Sequence, residues 1–395
     1  MLLEILLFLI IGIAFGTLTG LTPGIHINLV SGILLTISFA GLNPVYLVTF
    51  VTSMAITHTF LDFIPSVFLG CPDTDTELAV LPGHNLLKNK RGYEAIHLSN
   101  VGSIIAVVLL AIILVPSIFL IKNFSSNLTL VLPYVLIGVS LIVILSEKRK
   151  FSALFAFLLT GLLGYSLSAF TINQPLLPLL TGLFGASNIV ISLKNKTKIP
   201  EQKITKSKTE LKRPIFGALL SAPFCSFLPG VGSGQAAVIG SAFTKTNEKQ
   251  FMVLLGIVNT LVMGFSFVSL YVLGKTRTGT ADALKQLIGN VGINYLILII
   301  VVTILTGVLA YFWTEKLSKF FAKNFSKVNY KILSYSTLAI LLVVVILVSG
   351  LIGVAVLVLS TLTGIYCIRL KVKRVNMMGS LLIPTILYYF GAIGF

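Results

Sequence analysis

Phe227-Leu228-Pro229-Gly230-Val231-Gly232-Ser233-Gly234-Gln235 interrupts an apolar stretch just past the middle of the chain, and Leu21-Thr22-Pro23-Gly24-Ile25-His26-Ile27-Asn28 interrupts another near its start. Proline removes a backbone donor and glycine loosens the chain, so each break leaves backbone groups without helical partners. At membrane depth such backbone is tolerated only where protein or a wet cavity surrounds it. A pair of breaks in corresponding halves is the sequence sign of a transporter's substrate site. For either break alone, a proline kink with a tight helix crossing is the competing reading.

The surrounding composition sets the solvent. The chain has 395 residues, 56% hydrophobic and only 10% charged, with a mean hydropathy of +1.02. Soluble domains carry roughly a quarter charged residues, so a water-soluble fold is excluded. The net charge of +17 sits in short loops between apolar spans, as the positive-inside bias requires, with no aromatic-basic platform for nucleic acid. Cys71, Cys225 and Cys367 are scattered and form neither metal spacing nor a disulfide framework. Met1-Leu2-Leu3-Glu4 lacks a basic n-region, so the first helix is expected to be retained.

Apolar stretches fall near 1–40, 44–69, 96–121, 128–146, 151–170 and 174–193, then 214–243, 249–274, 286–313, 332–349, 351–368 and 376–394. Lys194 to Arg213, rich in Lys, Thr and Ser, separates the sets as a cytoplasmic linker. If each broken stretch is a re-entrant hairpin, every basic cluster (Lys88 to Arg91, Glu147 to Lys150, Lys316 to Lys331, Arg369 to Arg374) falls on the cytoplasmic side. The same bookkeeping leaves about five crossings per half, an odd number, which inverts one half relative to the other. The expected architecture is therefore all-α and polytopic, with inverted repeats at 1–193 and 214–395 and the linker at 194–213. Ala55-Ile56-Thr57-His58-Thr59 aligns with Gly256-Ile257-Val258-Asn259-Thr260, and Phe68 to Thr76 aligns with Val272 to Thr280.

Candidate chemistry follows from these elements. The tips offer Thr22, Pro23, Gly24, His26 and Asn28 from one half, and Pro229, Gly230, Gly232, Ser233, Gly234 and Gln235 from the other. Glycines admit close backbone approach, and the helix beginning near Ser233 presents N-terminal donors to an anion. Asn259 and the turn threonines Thr74, Thr76, Thr278 and Thr280 complete the expected substrate set. His58 and Asp62 are four apart on one helix face, read either as a proton- or ion-coupling pair or as a structural pair near a helix end. Asp73, Asp75 and Glu77 read as a solvated loop or, less simply, a metal site, and His84 reads as loop. His97 and Asn100 either line a cavity or join neighbouring helices.

At these residues the chain resembles the large membrane subunit of the tripartite tricarboxylate transporters. The resemblance rests on Gly20-Leu21-Thr22-Pro23-Gly24, on Leu69 to Thr74 with Leu81-Pro82-Gly83-His84 and Lys88 to Gly92, on Leu228 to Gly234, and on Asn259-Thr260. Pro72 is followed by Asp73 where the family has glycine, and the turn from Lys275 to Thr280 has no proline. The resemblance implies a permease for di- or tricarboxylates, partnered by a small membrane subunit and an extracytoplasmic binding protein. The expectation is a multi-pass cell-membrane protein moving an organic anion by alternating access on a proton or sodium gradient, with no cofactor, no metal and no enzymatic activity. Two other readings stay open: translocation of a lipid-linked phosphate, which Gly-Ser hairpins and basic turns also suit, and an intramembrane lipid-phosphate enzyme built on the acidic trio.

Overall fold

The computed structural model describes residues 2–22, 43–70, 76–170, 172–194, 200–226, 232–276, 278–289, 291–325 and 330–391, without the side chains of 81, 124–129, 224–226, 330 and 333. Pro23, Gly24, His26, Asn28, Thr74, Pro229 and Gly230 lie outside these residues, as do Asp73 and Asp75.

The first half contains α1 (Leu2–Leu21), α2 (Pro44–Leu61), α3 (Phe63–Phe68), α4 (Val80–Lys88), α5 (Gly92–Leu145), α6 (Lys150–Ser166) and α7 (Leu176–Lys194). The second contains α8 (Lys212–Ser226), α9 (Ser233–Thr244), α10 (Glu248–Leu273), α11 (Gly279–Ile288), α12 (Ile293–Asn324), α13 (Tyr330–Arg369) and α14 (Gly379–Tyr389). Among the described residues, 8 helices are long and apolar enough to cross a membrane.

Packing runs opposite to that of a soluble bundle. Leu47–Leu61 of α2 and Met252–Leu270 of α10 are buried throughout, yet they carry Thr52, Thr57, His58, Asn259, Thr260 and Ser266. The outer helices instead expose large apolar side chains, among them Leu3 on α1, Phe312 on α12 and Leu351 on α13. In water this surface would be costly. In a bilayer it is the solvated face, and polarity belongs inside.

Glycine spacing sets how closely the helices meet. Gly12, Gly16 and Gly20 line α1 where it packs on α2, and a Cβ at Gly16 would lie 2.5 Å from the Met54 carbonyl oxygen. Such small-residue stripes let helices touch at backbone distance without a hydrophobic driving force. At the α5–α10 crossing, a Cβ at Gly102 would lie 2.2 Å from the Val253 oxygen and one at Gly256 2.0 Å from the Ser99 oxygen. The halves interleave: α10 packs along α5, while α2 packs along α12.

Two boundaries differ from or sharpen the sequence reading. The expected stretches 96–121 and 128–146 lie within one hydrogen-bonded helix, α5, which includes Pro116 and Pro133. Its 54 residues amount to about 80 Å at 1.5 Å per residue, well beyond one bilayer core. The apolar segments Gly92–Asn123 and Leu130–Leu145 lie to either side of the polar Asn123 to Asn127. The expected break at 349–351 is present within α13, where Gly350 adopts φ 66° and ψ −166°.

The linker is docked along its described part. The Lys203 N–H donates to the Lys90 carbonyl (2.8 Å), and the Gly92 N–H donates to Gln202 Oε1 (2.8 Å). Gln202 Nε2 returns a hydrogen bond to the Leu87 carbonyl (3.1 Å), so one side chain clasps the turn between α4 and α5.

Candidate functional site

Helix α2 ends at Leu61 because Pro65, four residues on, cannot donate to the Leu61 carbonyl and its ring crowds that oxygen. Asp62 forms the turn between α2 and α3, its N–H bonded to the His58 carbonyl (3.0 Å), and Ser66 Oγ donates to the Asp62 carbonyl (2.8 Å). The break places a carboxylate, 2% exposed, at the crossing with α10. There Asn259 Nδ2 donates to Asp62 Oδ2 (2.7 Å) and lies 3.3 Å from the Thr59 carbonyl, while the Thr59 and Thr260 hydroxyls meet at 3.1 Å. Asn259, expected for substrate, and Asp62, expected for coupling, therefore form one hydrogen-bonded group. His58 bonds through Nδ1 to Thr19 Oγ1 of α1 (3.0 Å).

The turn threonines are paired in a recurring way. The Thr76 hydroxyl bonds that of Ser66 (2.6 Å), and the Thr278 hydroxyl bonds that of Ser266 (3.0 Å). Thr278 also caps α11, accepting from the Ala281 N–H (3.1 Å). Thr280 is buried in the first turn of α11. Thr22 returns its hydroxyl to the Leu18 carbonyl at the end of α1 (2.6 Å).

At the start of α9, Gln235 Oε1 accepts from the Gly232 N–H (2.7 Å), so the glutamine oxygen expected for substrate caps its own helix. Ser233 is buried. A Cβ at Gly234 would lie 2.0 Å from Glu77 Oε1, which shows why the first turn of α9 needs glycine there. Glu77 is 1% exposed, not part of a solvated loop as its place in the acidic trio suggested. A carboxylate of the chain itself thus lies against the helix N-terminus that was expected to receive an anion, where the helix dipole favours negative charge.

Basic groups gather beside this region. His84 belongs to helix α4 rather than a loop, and its Nδ1–H donates to the Val67 carbonyl (3.2 Å). Burial, then the charge of Lys88, pushes its imidazole down to about 4. Burial and the Arg374 charge lower Lys88, and burial holds the Arg374 guanidinium down to about 10. Among the described residues, no group of three or more His, Cys, Asp or Glu side chains could hold a metal ion.

A further cluster lies where the linker docks. Glu315 on α12 accepts from the Tyr93 hydroxyl (2.6 Å), His97 Nδ1 (2.5 Å) and Asn100 Nδ2 (3.2 Å) of α5, and pairs with Lys206 of the linker (3.3 Å). Glu94 accepts from Arg91 and from Ser207 of the linker, with Lys249 at 3.3 Å. His97 and Asn100 therefore join helices rather than line an open space. Glu315 escaped the sequence reading because Trp313-Thr314-Glu315-Lys316 sits where the apolar span meets a basic run.

The family model of the tripartite tricarboxylate transporter TctA family matches residues 6–379. The chain belongs to the TctA family. It is also 35% identical to the uncharacterized protein MJ1079 of Methanocaldococcus jannaschii over 403 aligned positions, covering 97% of this chain and 98% of the relative. No solved structure matches it. Among the residues singled out from sequence, the fold brings Asp62 to Asn259 and Thr59 to Thr260. It places Gln235 in a helix cap and Thr22 on its own helix, with Gly234 in the first turn of α9 against Glu77.

Proposed function

We propose that the protein is the membrane permease of a carboxylate transport system, moving a di- or tricarboxylate by alternating access of two inverted halves, 1–193 and 214–395, joined by a cytoplasmic linker at 194–213. The observation that carries this reading is the α2–α10 crossing. Thr59 and Thr260 occupy matching positions of the two halves in the sequence alignment, and they bond each other at 3.1 Å. Equivalent residues meet in this way near an axis relating two repeats. The Asp62–Asn259 hydrogen bond joins the next polar groups across the same crossing. The reciprocal packing of α2 on α12 and α10 on α5 supports the same relation.

In this reading the Pro-Gly tips carry the anion, with Thr22, Gly24 and His26 from one half and Gly230, Gly232 and Ser233 from the other. Asp62 with His58 carries the coupling proton or sodium ion. Family membership supports a carboxylate substrate, together with a small membrane subunit and an extracytoplasmic binding protein as partners. The protein would act in the cell membrane.

Uptake into proteoliposomes under imposed pH or sodium gradients, across a panel of carboxylates, tests the proposal. The expected result is gradient-driven accumulation of at least one acid, abolished by Gly230→Leu in a protein that still folds and extracts. Failure of every acid under every gradient would sink the transporter reading. Normal uptake by Gly230→Leu would move the site away from the tips. Transport of polyprenyl phosphate without any carboxylate would transfer the reading to a lipid-linked phosphate.

A further inference from the structure

A cavity of about 560 Å³ opens at the end of the molecule where α9 passes into α10, beside the last turn of α5 and the segment between α13 and α14. Its volume suits a small organic ligand. Its wall is mainly apolar, with Leu78, Ile142, Val238 and Phe251 among the contributors. Lys245 and Lys373 stand exposed at its rim, and Arg374 lines it from within. Of the two acids in the lining, Glu248 accepts from Asn85 Nδ2 (3.3 Å), and Glu77 packs against Gly234 at the start of α9.

Arg374 is held as a fork with one side engaged. Its Nη2 donates to Asn188 Oδ1 of α7 (2.8 Å), fixing the guanidinium plane. Its Nη1 is fully buried and has no hydrogen-bond partner among the described residues. A buried charged donor left without an acceptor is costly, so this guanidinium gains from an acceptor that enters beside it. Guanidinium donors in a fixed plane match the paired oxygens of a carboxylate or phosphate. Lys88 stands close enough for the two cations to repel, which an anion between them would relieve.

The apolar wall adds a second requirement. Ile142 both lines the cavity and belongs to the exposed apolar face at the end of α5, with Leu141 and Leu145 beside it. The cavity thus borders a surface suited to hydrocarbon.

We propose that Arg374 binds one oxyanion group of a ligand that has an apolar segment next to it, and that this cavity is a second holding site for the transported anion, at the basic end of the molecule and separate from the Pro-Gly tips. That the bound anion is the transported one rests on the transporter reading; the binding site itself rests on Arg374 and the cavity alone.

Binding to the full-length protein in nanodiscs is measured by calorimetry for four probes: adipate, citrate, inorganic phosphate and farnesyl phosphate. Adipate or farnesyl phosphate is expected to bind more tightly than citrate and inorganic phosphate; which of the two does so separates a free carboxylate from a lipid phosphate. Arg374→Gln should weaken that binding about 10- to 100-fold, and Arg374→Lys, which keeps charge but loses the fork, should fall between. A second readout needs no ligand. With Cys71, Cys225 and Cys367 replaced, Ser146→Cys at the cavity wall should react faster with an anionic than with a cationic methanethiosulfonate reagent. Arg374→Gln should cut that ratio about tenfold. Unchanged affinity and an unchanged ratio in Arg374→Gln would overturn the proposal, as would no binding of any probe to the wild type. Carboxylate uptake persisting at the wild-type rate in Arg374→Gln would overturn it while leaving the transporter reading intact. Arg374-dependent binding in a protein that takes up no acid would do the reverse.

Discussion

Replacing Gly256 by alanine tests the α5–α10 crossing on which the two halves interleave. The added Cβ would lie 2.0 Å from the Ser99 carbonyl oxygen, 2.8 Å from its carbon and 3.0 Å from its Cα. All three atoms are backbone of α5, so no side chain can rotate away. Ordinary contact begins near 3.4 Å, so the helices would have to part locally by up to 1.4 Å (3.4 − 2.0). A gap of ~0.5–1 Å already forfeits a quarter to a half of each dispersion contact along the crossing. Overpacking of this kind costs about 1–3 kcal/mol, against a helix-propensity gain of about 1 kcal/mol for losing a glycine. Gly138, also in α5, supplies the control: a Cβ there meets nothing within 4 Å. Thermal unfolding of the detergent-solubilised protein should therefore show Gly256→Ala less stable than wild type and Gly138→Ala equal or more stable. The same methyl group then has opposite effects at two positions of one helix pair. If Gly256→Ala unfolds at the wild-type temperature, or if both variants shift alike, the close crossing is refuted. Gly102→Ala, whose Cβ would lie 2.2 Å from the Val253 oxygen, should behave like Gly256→Ala.

Two further outcomes follow from the buried polar groups. His84 is pushed down to about 4 by burial, then by Lys88 and Arg374, so the folded protein keeps it neutral while the unfolded chain takes up a proton below about 6.5. Stability should therefore fall as pH drops from about 6.5 to about 4 and level off below, by at most ~3 kcal/mol from this group; a thermal-shift series in which His84→Gln shows the same acid loss as wild type would refute the assignment. Glu315→Ala would strip the acceptor from Tyr93, His97 and Asn100 and release Lys206. We expect a stability loss of about 2–4 kcal/mol and faster tryptic cleavage within the linker at 200–211, and an unchanged cleavage rate would show that the linker is not held through Glu315.

The amino-acid sequence by itself determined the solvent and the class of fold. Apolar stretches recurring with few charges leave only a helical membrane protein, because a bilayer offers backbone groups no partners outside the helix. The break at Gly350 was readable from the division between 332–349 and 351–368. The motif at Gly20 to Gly24 and its later counterparts pointed to the TctA family, which the match over residues 6–379 establishes. Asp62 was readable as needing a partner because a carboxylate inside a span is costly without one.

The partner itself was not readable. Asn259 lies 197 residues from Asp62, and only the crossing of α2 with α10 brings them to 2.7 Å. Glu77 read as solvated because its neighbours are acidic and polar, whereas packing against the start of α9 buries it. Arg374 and Glu315 each sit in or beside a basic run, where local sequence reports side of the membrane and nothing more. Their roles depend on Asn188, on Tyr93, His97 and Asn100, and on a cavity assembled from distant segments. Hydropathy is a local quantity, summed along the chain, and it settles which segments enter the bilayer. Burial of a charge and the donors it meets are set by what stands opposite, and that is decided only when helices from both halves pack together.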